Sequence, residues 1–175
     1  MTEQSDMFDR HVAHIEPWGA GDLPLLETLN GSEMTKHVGG PESPEKLAER
    51  QSRYEKADSR QYKVVVETGG EGVDWVGYWE TTWHDQPVWE IGWAVIPSFQ
   101  GRGVAGSATA QLIEKARAEQ LHEYVHAFPT LANAPSNAIC RKLGFTLLGE
   151  IDFPARQGGF VRCNDWRFGL FASSG

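Results

Sequence analysis

Apolar residues alternate with polar ones in some stretches of the chain and recur every third or fourth position in others. Val12–Ile15 and Tyr62–Glu67 read as strands, and Gly69-Gly70-Glu71-Gly72 reads as a turn. Asp74–Trp83 and Val88–Ile96 are longer strand patterns. His84-Asp85-Gln86-Pro87 joins them, which predicts an antiparallel hairpin. Glu123–Phe128, Phe145–Ile151 and Val161–Leu170 complete the strands. Helical spacing appears over Asp22–Leu29, which ends at Asn30-Gly31. Ser43-Pro44-Glu45-Lys46 places a capping serine before a first-turn proline and opens a charged helix to about Ala57. Ala108, Leu112 and Ala116 share one face of a helix over 104–119. Asn133-Ala134-Pro135-Ser136 opens a last helix that stops at Leu143-Gly144. The order β-α-α-β-β-β-α-β-α-β-β predicts an α/β (α+β) chain. Its mixed central sheet of six to seven strands carries helices on both faces. Residues 1–9 carry no such pattern and read as a flexible tail.

Length and composition narrow the classes. The chain has 175 residues, the size of a single α/β domain spanning 1–175. No repeat or linker divides it. Apolar runs are too short to span a membrane, and the acidic start Met-Thr-Glu-Gln-Ser-Asp is unlike a signal peptide. A formal net charge of −8 disfavours nucleic-acid binding and mildly favours a cationic ligand. Only two cysteines are present, Cys140 and Cys163, without the spacing of a metal knuckle or a disulfide scaffold. No metal is expected, and the expected compartment is the cytoplasm. Oligomeric state is not legible, a homodimer being compatible with the sequence.

Candidate chemistry concentrates in one segment. The strand ending at Pro97 is followed by Gln100-Gly101-Arg102-Gly103-Val104-Ala105-Gly106-Ser107 and then by the helix. A glycine-rich turn into a helix N-terminus converges backbone N–H groups and partial positive charge, which suits a phosphate. Gly101-x-Gly103-x-x-Gly106 matches the dinucleotide fingerprint literally. Against that reading, Pro97-Ser98-Phe99-Gln100 separates it from the strand, and the next strand ends in Ala127-Phe128-Pro129 rather than an acidic residue. No Gly-Lys-Ser/Thr follows, which excludes a Walker loop. A plain tight turn is the remaining bland alternative.

Val95-Ile96-Pro97-Ser98-Phe99-Gln100-Gly101-Arg102-Gly103-Val104-Ala105 resembles the acyl-CoA-binding motif of the GNAT superfamily of N-acyltransferases, Gln/Arg-x-x-Gly-x-Gly/Ala after a strand and a proline. Asn133-x-x-Ser136 followed by Lys142-Leu143-Gly144-Phe145 is similar to that family's second motif, in the right order and spacing. Glu16-Pro17-Trp18, Asp22-Leu23-Pro24-Leu25-Leu26 and Asp165-Trp166-Arg167-Phe168-Gly169-Leu170 resemble the branch that acetylates ribosomal-protein N-termini and its small-molecule relatives. The resemblance spans nearly the whole chain. It implies the GNAT fold and an N-acetyltransferase that moves acetyl from acetyl-CoA, a co-substrate, to a primary amine in a ternary complex. The acceptor would be a protein N-terminus or a small-molecule amine. A non-catalytic acyl-CoA-binding or regulatory module is the alternative.

The resemblance also implies roles. Gln100, Gly101, Arg102, Gly103, Val104, Ala105, Gly106 and Ser107 would cradle the pyrophosphate. The backbone at Val95 and Ile96 would pair with the pantetheine arm and polarise the thioester. Asn133 and Ser136 would contact the arm from the second helix, where Asn133 also suits an N-cap. Glu90 matches a catalytic glutamate of several members, and a base is useful because an amine of pKa about 10.4 must lose its proton before it attacks. Cys140 occupies the position where many members carry a proton-donating tyrosine. His84 and His126 are reserve candidates. Trp75, Trp79 and Trp83 share one strand face, and one or two of the tryptophans are expected to wall an acceptor pocket.

Overall fold

Seven strands make one sheet: β1 (Ala13–Pro17), β2 (Gln61–Val66), β3 (Gly72–Trp83), β4 (Gln86–Val95), β5 (Tyr124–Ala127), β6 (Thr146–Pro154) and β7 (Phe160–Gly169). The order across the sheet is β1-β2-β3-β4-β5-β7-β6. The computed structural model describes residues 13–66, 70–96, 98 and 100–172, without the side chain of Val95. The expected tail over 1–9 lies outside the described residues, as do Val12, Glu67, Gly69, Pro97 and Phe99 of the expected strands and turns.

Helices α1 (Leu23–Leu29) and α2 (Pro44–Tyr54) lie on one face, and α3 (Val104–Glu119) and α4 (Ala134–Lys142) on the other. Two interleaved rows at helical spacing bury α3, namely Val104, Ala108, Leu112 and Ala116 beside Ala105, Thr109 and Ile113. They meet Val76, Tyr78, Trp89 and Ile91 in the main core. Trp89 and Leu112 are fully buried. Each such apolar side chain stabilises the fold by about 1.5–3 kcal/mol through water removal. A smaller core of Trp18, Leu26 and Leu47, with Tyr54 and Trp75 against it, holds α1 and α2 to the opposite face. Ser43 caps α2 by accepting from the Lys46 N–H, as its sequence predicts.

The hairpin is tighter than the sequence indicates. Strand β4 resumes at Gln86 and Pro87 pairs with Thr82, so the turn is His84-Asp85 alone. Both residues have positive φ, 48° and 60°, the backbone of a two-residue turn whose twist matches the flanking strands.

Every neighbouring pair of strands is antiparallel except β4 and β5. These two are parallel and pair only at Trp89↔Val125 and Glu90↔His126. Past Glu90, β4 continues to Val95 paired with β3 alone. The sheet therefore opens at the carboxyl ends of its one parallel pair. Helix α3 follows β4 and α4 follows β5, so both helices start at that end.

Candidate active site

The opening has a defined backbone lining. Ile96 N–H bonds to Val73 O, and Ala94 N–H bonds to Asp74 Oδ1 at 3.1 Å, so the even positions of β4 point at β3. Strand alternation then directs the N–H groups of Trp93 and Val95 to the β5 side, where the ladder records no partner among the described residues. These are preorganised donors along an open edge.

One end of the opening is the start of α3. Gly101 and Gly103 both have φ of 75°, and Gly103 is the N-cap residue with no side-chain cap. A left-handed backbone favours glycine at both positions. Ser107 N–H makes the first intrahelical bond, to Gly103 O, so the N–H groups of Val104, Ala105 and Gly106 precede the helical ladder. A Cβ built at Gly101, Gly103 or Gly106 meets nothing within 4 Å. The result is an open cradle at a helix N-terminus, sized and charged for a phosphate group. Arg102 and Ser107 are exposed beside it, and Gln100 reaches towards the Met34 sulfur at 3.8 Å. Val104 and Ala105 are buried beneath it.

The start of α4 flanks the other side. Asn133 caps the helix by accepting from Ser136 N–H at 3.2 Å. Ser136 Oγ in turn accepts from Trp93 Nε1 at 3.2 Å. That bond ties the second motif to the strand that precedes the first. Cys140, one turn further on, is fully buried in the main core, and burial pushes its thiol up to about 12. The structure does not expose Cys140 with the other candidates.

Glu90 is the last residue of β4 paired with β5, and it faces the α1–α2 side. Its Oε2 accepts from Trp79 Nε1 at 3.2 Å. Burial pushes its carboxyl above the ordinary carboxylate range, against the opposing pull of the Trp79 hydrogen bond and of nearby His126. His126 stands across the ladder, with Nδ1 2.6 Å from Asp165 Oδ1. Asp165 Oδ2 accepts from Trp83 Nε1 at 2.9 Å. His84 packs edge-on against the Trp83 ring at 4.6 Å, away from Glu90.

Trp89, on the opposite sheet face, is core, whereas Trp75 and Trp79 line a cavity of about 690 Å³. Tyr54, Trp75 and Trp79 form a stack with centroid steps of 5.8 and 6.3 Å. Gly92 lets this stack lie on β4, since a Cβ there would stand 3.0–3.3 Å from the two indole rings. Asp165, known from the sequence only as the start of the closing segment, and Asn137 are two further polar residues buried at the site. Asn137 is buried and accepts from Asn164 and Trp166 while donating to Thr130 O and Asn133 O, which locks the α4 start to β7. Asp165 has a signal in the sequence, since alternation puts it on the same face of β7 as Cys163 and Arg167.

The acetyltransferase (GNAT) domain family model matches residues 14–146. The L-methionine sulfoximine/L-methionine sulfone acetyltransferase of Pseudomonas aeruginosa is 29% identical over 144 residues, covering 79% of this chain and 83% of the relative. The crystal structure of an acetyltransferase (GNAT family) from Bacillus anthracis superimposes with a TM-score of 0.76 at 16% identity, covering 90% of this chain and 95% of that one. The ribosomal-protein-S5-alanine acetyltransferase of Vibrio fischeri superimposes with a TM-score of 0.71 at 14% identity, covering 90% and 93%. Among the described residues, no group of three or more His, Cys, Asp or Glu is placed to hold a metal, and no helix is long and apolar enough to cross a membrane.

Proposed function

From the premise that the chain belongs to the acetyltransferase (GNAT) domain family and is an acetyl-CoA-dependent N-acetyltransferase, we propose that it acts as one catalytic domain on the primary amine of a small molecule. The observation that carries the site assignment is the opening of the sheet past Glu90 and His126, flanked by the starts of α3 and α4. The small-molecule acceptor is supported by the Pseudomonas relative, whose name gives it methionine sulfoximine and methionine sulfone as substrates.

Acetyl-CoA supplies the activated acyl group, so the protein's work is mainly positioning. The N–H groups of Val104, Ala105 and Gly106, with Gly101 and Gly103 giving room, hold the diphosphate, and Gln100, Arg102 and Ser107 border it. Trp93 and Val95 present their N–H groups to the pantetheine arm and the thioester carbonyl, whereas Ile96, bonded to Val73 O, faces β3 and gives the arm no N–H. A fixed donor of that kind is worth about 10²–10³ in rate. Asn133 and Ser136 brace the arm from α4. Glu90 takes a proton from the incoming ammonium, and the neutral amine then attacks, its second proton passing to water as the N–C bond forms and the C–S bond breaks. The sulfur leaves as a thiolate and takes a proton from water. Asp165 orients His126, which stands beside Glu90 and favours its ionised form. Cys140 serves packing in this scheme. The cytoplasm is the proposed compartment.

A thiol-release screen with acetyl-CoA against small amines and folded-protein N-termini tests this reading. Turnover of small amines is expected. Turnover confined to protein N-termini, or acetyl-CoA binding without turnover in any class, would contradict it.

A further inference from the structure

The cavity lined by Trp75 and Trp79, the latter hydrogen-bonded to Glu90, is basic, although the chain as a whole is acidic. Lys46, Arg50, Arg53 and Arg156 line it, and Glu42 is its single acidic lining residue among the described residues. Lys46, Arg50 and Arg53 project from α2 at i, i+4 and i+7, so one helix face carries all three. Arg156 arrives from the turn between β6 and β7. Glu42 pairs with Arg50 and also with Arg156, the latter at 3.0 Å. One carboxylate thus serves two guanidinium groups. Glu42 is itself fixed in place, because Asn30 accepts its N–H at 2.8 Å and donates to its carbonyl at 3.0 Å. The protein's own carboxylate between two planar forks shows which chemistry this end accepts.

The basic end is connected to the proposed catalytic end. The Tyr54 ring sits among Arg50, Arg53 and Arg156, close enough for all three to oppose the upward push that burial gives its hydroxyl pKa. From Tyr54 the stack steps 5.8 Å to Trp75 and 6.3 Å to Trp79, whose indole donates to Glu90. We propose that the cavity binds an acceptor whose amine lies at the Trp79–Glu90 end and whose far end is a carboxylate held by Arg50, Arg53 and Arg156. This deepens the small-molecule acetyltransfer proposed above and rests on it. The ring steps set the reach. An extended peptide advances at most about 3.3–3.6 Å per residue, so a tripeptide comes close to spanning both steps of the stack, whereas a dipeptide covers little more than one. The −8 net charge points the other way, towards a cationic acceptor, but it is a sum over the surface, whereas the lining of this cavity is local and opposite in sign.

The test is thiol release from acetyl-CoA with tripeptides bearing a free C-terminal carboxylate, their C-terminal amides, and a polyamine. The proposal expects kcat/KM for the acids to exceed that of the matched amides by about tenfold or more. Arg156→Gln, and separately Arg53→Gln, should shrink that ratio towards one while the KM for acetyl-CoA and the melting temperature stay unchanged. Equal use of acids and amides, preferred use of the polyamine, or a preference for acids that survives both variants would overturn it. Turnover of amides or polyamine alone overturns the acceptor proposal and leaves acetyl transfer to small amines standing. No turnover together with no melting shift by acetyl-CoA overturns both.

Discussion

Gly106→Asp separates the needs of the fold from those of the ligand. Gly106 is the third residue of α3, and a Cβ there meets nothing within 4 Å. An aspartate in a first helical turn is favoured by the helix dipole by about 0.3–1 kcal/mol. For a chain of this size that corresponds to a rise in melting temperature of about 1–4 °C. The same carboxylate would lie against a bound diphosphate. Two like unit charges 4 Å apart repel by about 1 kcal/mol in water and about 4 kcal/mol at an effective dielectric constant of 20. The KM for acetyl-CoA should therefore rise by about fivefold to several hundredfold. Molar salt should shrink the penalty, because the screening length falls to about 3 Å. Gly106→Asn is the neutral control and should leave KM nearly unchanged. Differential scanning fluorimetry and thiol-release kinetics read the two effects independently. A variant that melts higher and keeps the wild-type KM at low salt would refute the placement of the diphosphate at the start of α3.

Other expectations follow from named groups. Glu90→Gln should lower kcat/KM at neutral pH by about 10²–10⁴, and full activity across pH would remove Glu90 from the mechanism. The raised Glu90 carboxyl should place the acid limb of the kcat/KM profile above the ordinary carboxylate range. Trp79→Phe, which removes a donor to the ionised form, should move that limb to still higher pH; an unmoved or lowered limb would contradict the assignment. Asp74 is fully buried, and burial raises its carboxyl well above the usual range. A carboxyl raised in this way stabilises the folded chain fully below the unfolded value, and that stabilisation is lost as pH climbs through the folded one. Asp74→Asn should accordingly gain melting temperature relative to wild type as pH rises, and a difference that is constant with pH would refute this. Cys140→Ala should lose about 1 kcal/mol, or 2–4 °C, and keep kcat, since the thiol packs in the core; a collapse of kcat with stability intact would make it the proton donor.

Legibility in the sequence depended on how local each cause was. The α3 rows and the Ser43 and Asn133 caps are set within a few residues, and they appear where the pattern places them. The two motifs pointed to one site before their contact through Trp93 and Ser136 was visible. The His84-Asp85 turn was less legible, because positive φ at two non-glycine residues is imposed by the flanking β3–β4 ladder rather than by residue type. The opening between β4 and β5 was implied only by the resemblance, through the expected pairing of the arm at Val95 and Ile96, since strand composition does not say how many residues pair. The cavity was half visible. Lys46, Arg50 and Arg53 read equally well as a solvated helix face until Arg156, more than 100 residues later, closes over Glu42. The His126–Asp165–Trp83 chain likewise joins three strands that only the sheet order brings together.

Backbone amide exchange followed by NMR, with and without acetyl-CoA, tests the central claim most directly. The arm laid along the open edge of β4 should slow exchange at Trp93 and Val95, which point into the opening. Ala94 and Ile96, already bonded towards β3, should stay as they are. Protection that appears equally on both sets, or on neither while acetyl-CoA is bound, would contradict a substrate seated between β4 and β5.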